Sequence, residues 1–357
     1  MAETSGKTSY TDKIRQSYGS LFRDEPYVRS LVLLFVISFA VLSFLKPSIF
    51  LTRSYLVNIL YLFPEYGILA LGMMLAMISG GIDLSVVATA NMAGILCSMF
   101  LVHVVPAEAN VAWGTAMLFA AFLMAMLIGA SCGLLCGILI SKIGIPPILA
   151  TLGAGDLILG GAVALTRGSS ISNLPPILSS VGSHIIAGLI PVPLVVFAVC
   201  ATIVNFCLRR RAFGMRLFML GANPRASEFS GIDNDAIICR TYAFSGIMAG
   251  ISGLLMCARF NSARADFGAS YTMQAILICI LGGVNPNGGF GSVRGVTLSI
   301  LILQILSSGF NMFPRISNFY RDLIWGLVLI LVIIYNMTRN KRRALSAKNV
   351  KIQRLSS

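Results

Sequence analysis

Long runs of apolar residues alternate with short polar segments along almost the whole chain. A helix needs about 20 apolar residues to cross the hydrocarbon core of a bilayer. Ten runs meet or approach this length, and the eighth is short and interrupted by glycines. The pattern predicts an all-α, polytopic membrane protein with ten transmembrane helices, at residues 31–50, 56–79, 84–105, 111–140, 146–165, 184–206, 236–258, 273–284, 295–313 and 323–337.

The composition agrees with this pattern. Only 11% of the 357 residues are charged, against roughly 25% in soluble domains, which disfavours a soluble enzyme, a disordered chain and a fibrous protein. The remaining polar segments divide the chain simply. Residues 1–30 form a polar arm, residues 31–337 form the membrane domain with one polar loop at about 208–235, and residues 338–357 form a basic tail.

The positive charges predict the orientation. Ten spans place both termini on one side of the membrane, and 20 of the 27 Lys and Arg residues fall on that side. Basic loops remain cytoplasmic, so both termini are expected in the cytoplasm. Nucleic-acid binding would require a folded basic face with interleaved aromatic residues, and the sequence contains none.

Polar residues inside the spans are candidates for a translocation pathway. Glu65 follows a proline in the outer third of the second span, where it is expected to reach the membrane interface. Asp156 lies among glycines in the fifth span and is the carboxylate expected to face a pathway. Asn91 and Thr151 are able to hydrogen bond a hydroxylated solute. The interpretation we prefer for both is pairing with a neighbouring helix, which is the commoner use of polar residues in bundles.

The fifth span also contains residues that interrupt helices. Pro146 and Pro147 stand at its start, and Gly153 and Gly155 lie within it. Backbone groups freed by a break at this depth must line a cavity or be buried in protein. Broken helices near the midplane are typical of transporters, so we expect a kinked fifth span that lines a pathway.

Two glycine-rich breaks interrupt the apolar runs in a similar way. In the first, Gly80 and Gly81 form a turn before Asp83, whose carboxylate is expected to cap the third helix. The second break contains Gly282 and Gly283 and separates spans eight and nine. The loose similarity of the two breaks is a hint of two related halves.

The polar loop between spans six and seven carries the signals of a short helix. Asn223 is a favourable N-cap, Pro224 suits the first helical position, and Gly231 suits the C-terminal stop. A two-turn helix, about 10 Å long, is expected between them, and such a helix fits a groove on a partner protein. A helix lying on the membrane surface is the alternative. It would have only Ala226 and Phe229 as apolar contacts and would bind lipid poorly.

Five stretches resemble the permease subunits of ribose-type bacterial ABC sugar importers and run in that family's order. They lie at residues 67–73, 80–86, 145–153, 221–232 and 281–295. The resemblance implies a type II, vitamin-importer-like fold in the bacterial inner membrane, surrounded by membrane lipid, and paired with a second, identical or different permease subunit. It also implies a cytoplasmic ABC ATPase that holds ATP and Mg, and a periplasmic or lipid-anchored solute-binding protein. This chain is then expected to carry no cofactor, metal or catalytic residue.

In that family the short helix of the cytoplasmic loop couples the permease to its ATPase. The resemblance assigns this role to Asn223, Pro224, Arg225, Ala226, Ser227, Glu228 and Gly231. The family usually has Glu-Ala-Ala at the start of this helix, where this chain has Arg-Ala-Ser, and Glu228 is the available substitute. A second departure is Val87, which replaces the glycine that commonly follows the Asp-Leu-Ser-Val turn.

The sequence thus predicts the membrane-spanning permease of an ATP-driven importer for a sugar or sugar-like solute. Nucleosides and branched-chain amino acids, carried by sister families, are alternative cargoes. An ion-coupled secondary transporter is a second class, but the sequence lacks a chain of carboxylates and histidines for a proton relay. A membrane-embedded enzyme is a third class, and the two histidines of the chain supply no catalytic cluster.

Overall fold

The computed structural model describes residues 26–106, 110–186, 188 and 190–312, with five single positions between 323 and 334. These parts are mostly helical, apart from an antiparallel pair of short strands, β1 (Ile185–Ile186) and β2 (Ile190–Pro191). The helices are α1 (Pro26–Leu45), α2 (Pro47–Phe50), α3 (Arg53–Leu62), α4 (Pro64–Ile78), α5 (Val86–Val104), α6 (Val111–Ser141), α7 (Pro147–Thr166), α8 (Pro176–Ser183), α9 (Val192–Arg210), α10 (Ala212–Ala222), α11 (Pro224–Phe229), α12 (Asn234–Phe260), α13 (Tyr271–Leu281) and α14 (Val293–Asn311).

Within the described ranges, eight helical segments are long and apolar enough to cross a membrane. One of them combines α3 and α4, whereas α13 has 11 residues and falls short of a full span. Each of the first nine predicted spans coincides with a helix, and the eighth is short, as expected. The predicted tenth span, the arm up to residue 25 and the basic tail lie largely outside the described residues. The fold is that of a polytopic, helical membrane protein.

One predicted boundary is wrong, and one predicted span has an interruption that the sequence did not predict. The second span lies where it was predicted, within Arg53–Ile78, but α3 ends at Leu62 and α4 begins at Pro64. Proline lacks the N–H that would continue the preceding helix but is well suited to begin a new one. The sixth span begins at Val192 and not at residue 184, because residues 185–191 form the strand pair.

The predicted kink of the fifth span is also wrong. α7 runs without a break from Pro147 to Thr166 and includes Gly153 and Gly155. Pro147 occupies the first turn of the helix, where its missing N–H removes no intrahelical hydrogen bond. The proline pair therefore starts the helix and does not bend it.

α12 is the central helix of the bundle and packs against α4, α5, α6 and α8. Gly246 of α12 lies so close to Gly129 of α6 that a Cβ atom on either residue would collide with the carbonyl group of the other. Close approach through small residues is the usual way in which helices pack within a membrane. On another side of α12, α4 is buried along its whole length. These two helices form the core that positions the polar residues described below.

Candidate functional site

The short helix of the 208–235 loop forms with the caps that the sequence predicts. The side-chain oxygen of Asn223 accepts a hydrogen bond from the backbone N–H of Ala226, at 3.1 Å. Pro224 is the first residue of α11, and Gly231 follows the helix with a φ of +75°. The helix has six residues, slightly fewer than two turns. Its role in coupling to an ATPase stays a prediction.

One face of α11 is free and the other is fastened to α12. Phe229 is 93% exposed, and Arg225, Ala226 and Glu228 are exposed beside it. On the opposite face the buried hydroxyl of Ser227 donates a hydrogen bond to the side-chain oxygen of Asn234, at 2.9 Å.

Asn234 completes this attachment with its amide group, which donates a hydrogen bond of 2.9 Å to the carbonyl oxygen of Pro224. Because Asn234 is the first residue of α12, it ties α11 directly to the central helix. We refer to the end of the bundle that carries α11 as the α11 end. The opposite end, where α4 begins with Pro64 and Glu65, is referred to as the Glu65 end.

The two glycine-rich breaks meet at the α11 end. The N–H of Gly289 donates a hydrogen bond of 3.0 Å to the carbonyl oxygen of Ile78, the last residue of α4. Gly221, at the end of α10, lies against both of these residues so closely that a side chain would not fit. Gly80 and Gly81 follow α4, and Gly282 and Gly283 follow α13. The two glycine-rich breaks, which have similar sequences, are therefore also neighbours in the structure and lie beside α11.

Asp83 is buried in the turn between α4 and α5 and does not cap the third span as predicted. α5 begins at Val86 with Ser85 at the N-cap position, so Asp83 lies too far ahead of the helix to cap it. Its carboxylate instead accepts hydrogen bonds from Ser85 and from the hydroxyl of Ser245 in α12, the latter at 2.9 Å. The hydroxyl of Thr151 in α7 holds the same turn, 3.0 Å from the carbonyl oxygen of Ile82.

Glu65 is buried within the bundle, and its predicted position near the membrane interface stays a prediction. Its carboxylate forms an ion pair with the guanidinium group of Arg259, at the end of α12. The hydroxyl of Tyr271 donates to the same carboxylate oxygen, at 3.3 Å, and Ser252 donates to the Glu65 carbonyl oxygen, at 2.7 Å. The sequence placed Arg259 in a loop, but α12 continues to Phe260 and brings this arginine to the start of α4.

A single stripe of α12 makes these contacts with both ends of α4. Ser245, Ser252 and Arg259 are seven residues apart, and seven residues are close to two helical turns. Ser245 binds Asp83 at the α11 end, whereas Ser252 and Arg259 bind Glu65 at the other. α4 and α12 are therefore fastened along their length, and this unit begins at the residue that holds α11.

A small polar cavity lies beside the ion pair, between α4, α12, α13 and α14. Its volume is about 120 Å³, and its walls include Tyr66, Arg259, Tyr271, Gln274 and Gln304. The sequence analysis missed this cavity. The sequence feature that could have indicated it is the presence of single glutamines, Gln274 and Gln304, within the apolar runs of spans eight and nine.

The two remaining pathway candidates have different surroundings. The amide of Asn91 donates hydrogen bonds to the carbonyl oxygens of Ala265 and Phe267, at 2.7 and 2.9 Å, and so ties α5 to the loop after α12. Asp156 is exposed on α7, on a face that also exposes Leu152 and Leu157. Placing a carboxylate against lipid costs about 2.5–3.5 kcal/mol of insertion free energy. We therefore expect this face of α7 to contact water or another protein surface and not lipid.

No candidate metal centre was found in the described part of the chain, where no three His, Cys, Asp or Glu residues gather. A bundle of apolar spans, with buried polar contacts, a small polar cavity and a short capped helix at one end, is the architecture of a membrane transport protein.

Residues 55–333 match the family described as branched-chain amino acid transport system / permease component, and the chain belongs to this family. The chain is therefore a permease, and not itself an enzyme. Similar proteins include the autoinducer 2 import system permease protein LsrD of Yersinia enterocolitica, which is 34% identical over 75% of this chain and 79% of its own length. The corresponding protein of Yersinia pestis (strain Pestoides F) is 32% identical over 75% and 78%. No solved structure matches the chain.

Proposed function

We propose that this chain forms the translocation pathway of an ATP-driven importer for a small, uncharged, sugar-like solute. A separate ABC ATPase subunit binds Mg-ATP and hydrolyses it. An extracytoplasmic binding protein delivers the solute. The observation that carries the proposal is α11, a capped helix with one exposed face and one face fastened to the central helix.

The exposed face of α11 suits a protein groove. Phe229 projects a large apolar ring, flanked by the opposite charges of Arg225 and Glu228. A buried aromatic anchor with a polar rim is the usual arrangement at a protein interface. Because Asn234 joins α11 to α12, a displacement of α11 by the ATPase would move the central helix as well.

The charge distribution supports a cytoplasmic position for the α11 end and both termini. Arg209, Arg210 and Arg211 precede α10, and Arg216 and Arg225 follow within the same segment. Cytoplasmic loops carry such an excess of arginine. We further propose that residues 323–337 supply a tenth span, which completes a type II importer fold in the inner membrane.

We propose that a second permease subunit covers the exposed face of α7. Gly153 and Gly160 have open space in front of them, and Asp156 is exposed between them. Two such faces opposite each other would place the carboxylate in a hydrated pathway and not against lipid, where its cost would be high.

The solute class rests on the similar proteins and on the polar cavity. The relatives are named as permeases for the import of autoinducer 2. The family description names branched-chain amino acids, and these are the alternative cargo. The side chain of an aliphatic amino acid calls for an apolar pocket, whereas amide, hydroxyl and guanidinium groups form much of the wall of the cavity beside Glu65, together with Leu62, Ile278 and Leu303.

The proposal is tested by affinity purification of the chain from native membranes in mild detergent. We expect an ABC ATPase to co-purify with the wild-type chain and to be lost from the Phe229→Asp variant. The Ser183→Asp variant adds the same charge at an exposed position at the end of α8, outside the candidate spans, and should retain the ATPase. A wild-type chain that purifies alone and transports solute in vesicles without ATP would contradict the proposal.

A further inference from the structure

The cavity at the Glu65 end has the size of a small solute. Its volume is about 120 Å³, well above the roughly 10–15 Å³ that a cavity needs to hold one water molecule. Pockets for drug-sized ligands are larger, about 300–1,000 Å³. The cavity therefore suits a small solute, and a nucleoside, which adds a purine or pyrimidine to the sugar, needs more space than a pentose.

Part of the cavity wall is a fixed frame. The hydroxyl of Tyr66 hydrogen bonds to the side-chain oxygen of Gln304, and the rings of Tyr66 and Tyr271 meet edge to face with centroids 5.7 Å apart. Arg259 lines the cavity but is paired with Glu65. The pair adds no net charge, so the frame favours an uncharged ligand over an anion.

Three further groups on the wall are free to bind a ligand. The amide of Gln274 and the hydroxyls of Ser270 and Ser307 line the cavity. Within the described ranges, none of these three side chains has a hydrogen-bond partner in the protein. Amides and hydroxyls both donate and accept hydrogen bonds, which is the chemistry that recognises the hydroxyl groups of a solute.

We infer that this cavity is a binding subsite for a small, uncharged, polyhydroxylated solute within a single permease chain. The fixed frame shapes the subsite, and Gln274, Ser270 and Ser307 supply the hydrogen bonds. The inference rests on the proposed function, because it assigns the cavity to the solute that the importer carries. It adds that the solute has a site inside each chain, apart from the exposed face of α7.

The test uses the purified complex in lipid nanodiscs, where both ends of the protein meet water. Leu62 lines the cavity without a polar group, so the Leu62→Cys variant reports access for a water-soluble methanethiosulfonate reagent. The parent chain gives the background from the eight native cysteines. We expect D-ribose to slow the labelling of this variant, and leucine and adenosine to have no effect.

Two substitutions, each made in the Leu62→Cys variant, test whether Gln274 and Ser307 cause the protection by ribose. A neutral hydrogen bond contributes about 0.5–1.5 kcal/mol, so Gln274→Leu and Ser307→Ala should each raise the half-protecting ribose concentration roughly fivefold. Ser131→Ala is the control, because this exposed hydroxyl bonds only to a carbonyl of its own helix. If Gln274→Leu reduces the yield of folded complex, Ser307→Ala alone provides the comparison.

Three results would overturn the subsite. These are no protection by ribose at tens of millimolar, equal protection by leucine or adenosine, and equal protection in the Ser131→Ala and Ser307→Ala variants. If the ABC ATPase still co-purifies in these cases, the proposed function stands and only the subsite fails. If the ATPase is absent, the proposed function itself fails.

Discussion

At the scale of single residues, the ion pair of Glu65 and Arg259 is a largely buried contact that joins the start of α4 to the end of α12. Both groups lie within the bundle, and Tyr271 and Ser252 add hydrogen bonds to Glu65. Removing one partner from a buried pair leaves the other charge uncompensated, whereas replacing both with apolar groups is often tolerated.

We therefore expect Arg259→Met to lower the free energy of unfolding by about 3–5 kcal/mol. The double variant Glu65→Met with Arg259→Met, in which both partners are apolar, should recover much of that loss. Denaturant unfolding in detergent measures both. Arg264→Met is the matched control, since its ion pair with Asp266 is exposed and exposed pairs contribute little. If Arg259→Met and Arg264→Met lowered the free energy of unfolding equally, this would contradict the burial of the Glu65–Arg259 pair.

A second residue-scale prediction concerns Lys142, outside the spans at the end of α6. Its ammonium group donates a 3.0 Å hydrogen bond to Asp235, and this bond and the aspartate charge raise the pKa of Lys142 above its ordinary 10.5. A raised pKa stabilises the folded state at pH values below the ordinary one, and this contribution disappears as pH rises through the raised value. The stability difference between wild type and Lys142→Met should be constant from about pH 7 to 9 and shrink above 10.5.

Unfolding measurements at several pH values test this prediction. Asp235→Asn removes the other partner of the same exposed pair, so it should cause a similar small loss near neutral pH. A difference for Lys142→Met that grows above pH 10.5 would show that another group is responsible.

At the scale of elements, close packing of α6 against α12 depends on glycine. A Cβ atom at Gly129 would collide with the backbone of Gly246, so Gly129→Ala must push the two helices apart. Gly153→Ala is the matched control, because Gly153 has open space before it and alanine is favoured over glycine in a helix by about 0.5–1 kcal/mol. Thermal unfolding of the single chain in detergent should show a loss for the first and no loss for the second. Equal stability of the two variants would contradict this packing.

The attachment of α11 to α12 gives a second prediction for elements. Asn234→Leu removes the hydrogen bonds to Ser227 and to the Pro224 carbonyl, while the exposed face of α11 is unchanged. Under the proposed function, the ATPase should still co-purify, but ATP-driven uptake should fall about tenfold because α11 no longer moves α12. Asn223→Ser keeps an N-cap residue at the start of α11 and should retain uptake. Normal uptake by Asn234→Leu would show that coupling takes another route.

At the scale of the whole molecule, the open face of α7 is the feature that a single chain leaves incomplete. If a second permease covers this face and a hydrated pathway lies between them, Asp156→Cys should react with a water-soluble thiol reagent in the assembled complex. Leu134→Cys, on an exposed part of α6, is expected to face lipid and to react only with a membrane-soluble reagent. Identical labelling of both variants by the two reagents would contradict the proposed pairing.

Much of the local structure could be predicted because it depends on residues a few positions apart. The apolar runs located nine helices, and the short helix α11 has the N-cap at Asn223 and the stop at Gly231 that were expected. Errors arose where proline has two possible effects. Pro64 divides a predicted span, whereas Pro147 simply begins one, and the local sequence is compatible with either outcome.

The sequence by itself determined that this protein is a helical membrane protein, which segments are helical, and the family to which it belongs. Only the tertiary structure decided which polar groups meet. Glu65 and Arg259 are 194 positions apart, and Gly221, Gly289 and Ile78 come from three distant segments. The apolar runs specify that a residue is in a helix, but the candidate spans in the described residues are apolar on most faces. Which faces pack together therefore depends on close contacts between small residues and on buried hydrogen bonds, and these exist only in the assembled bundle.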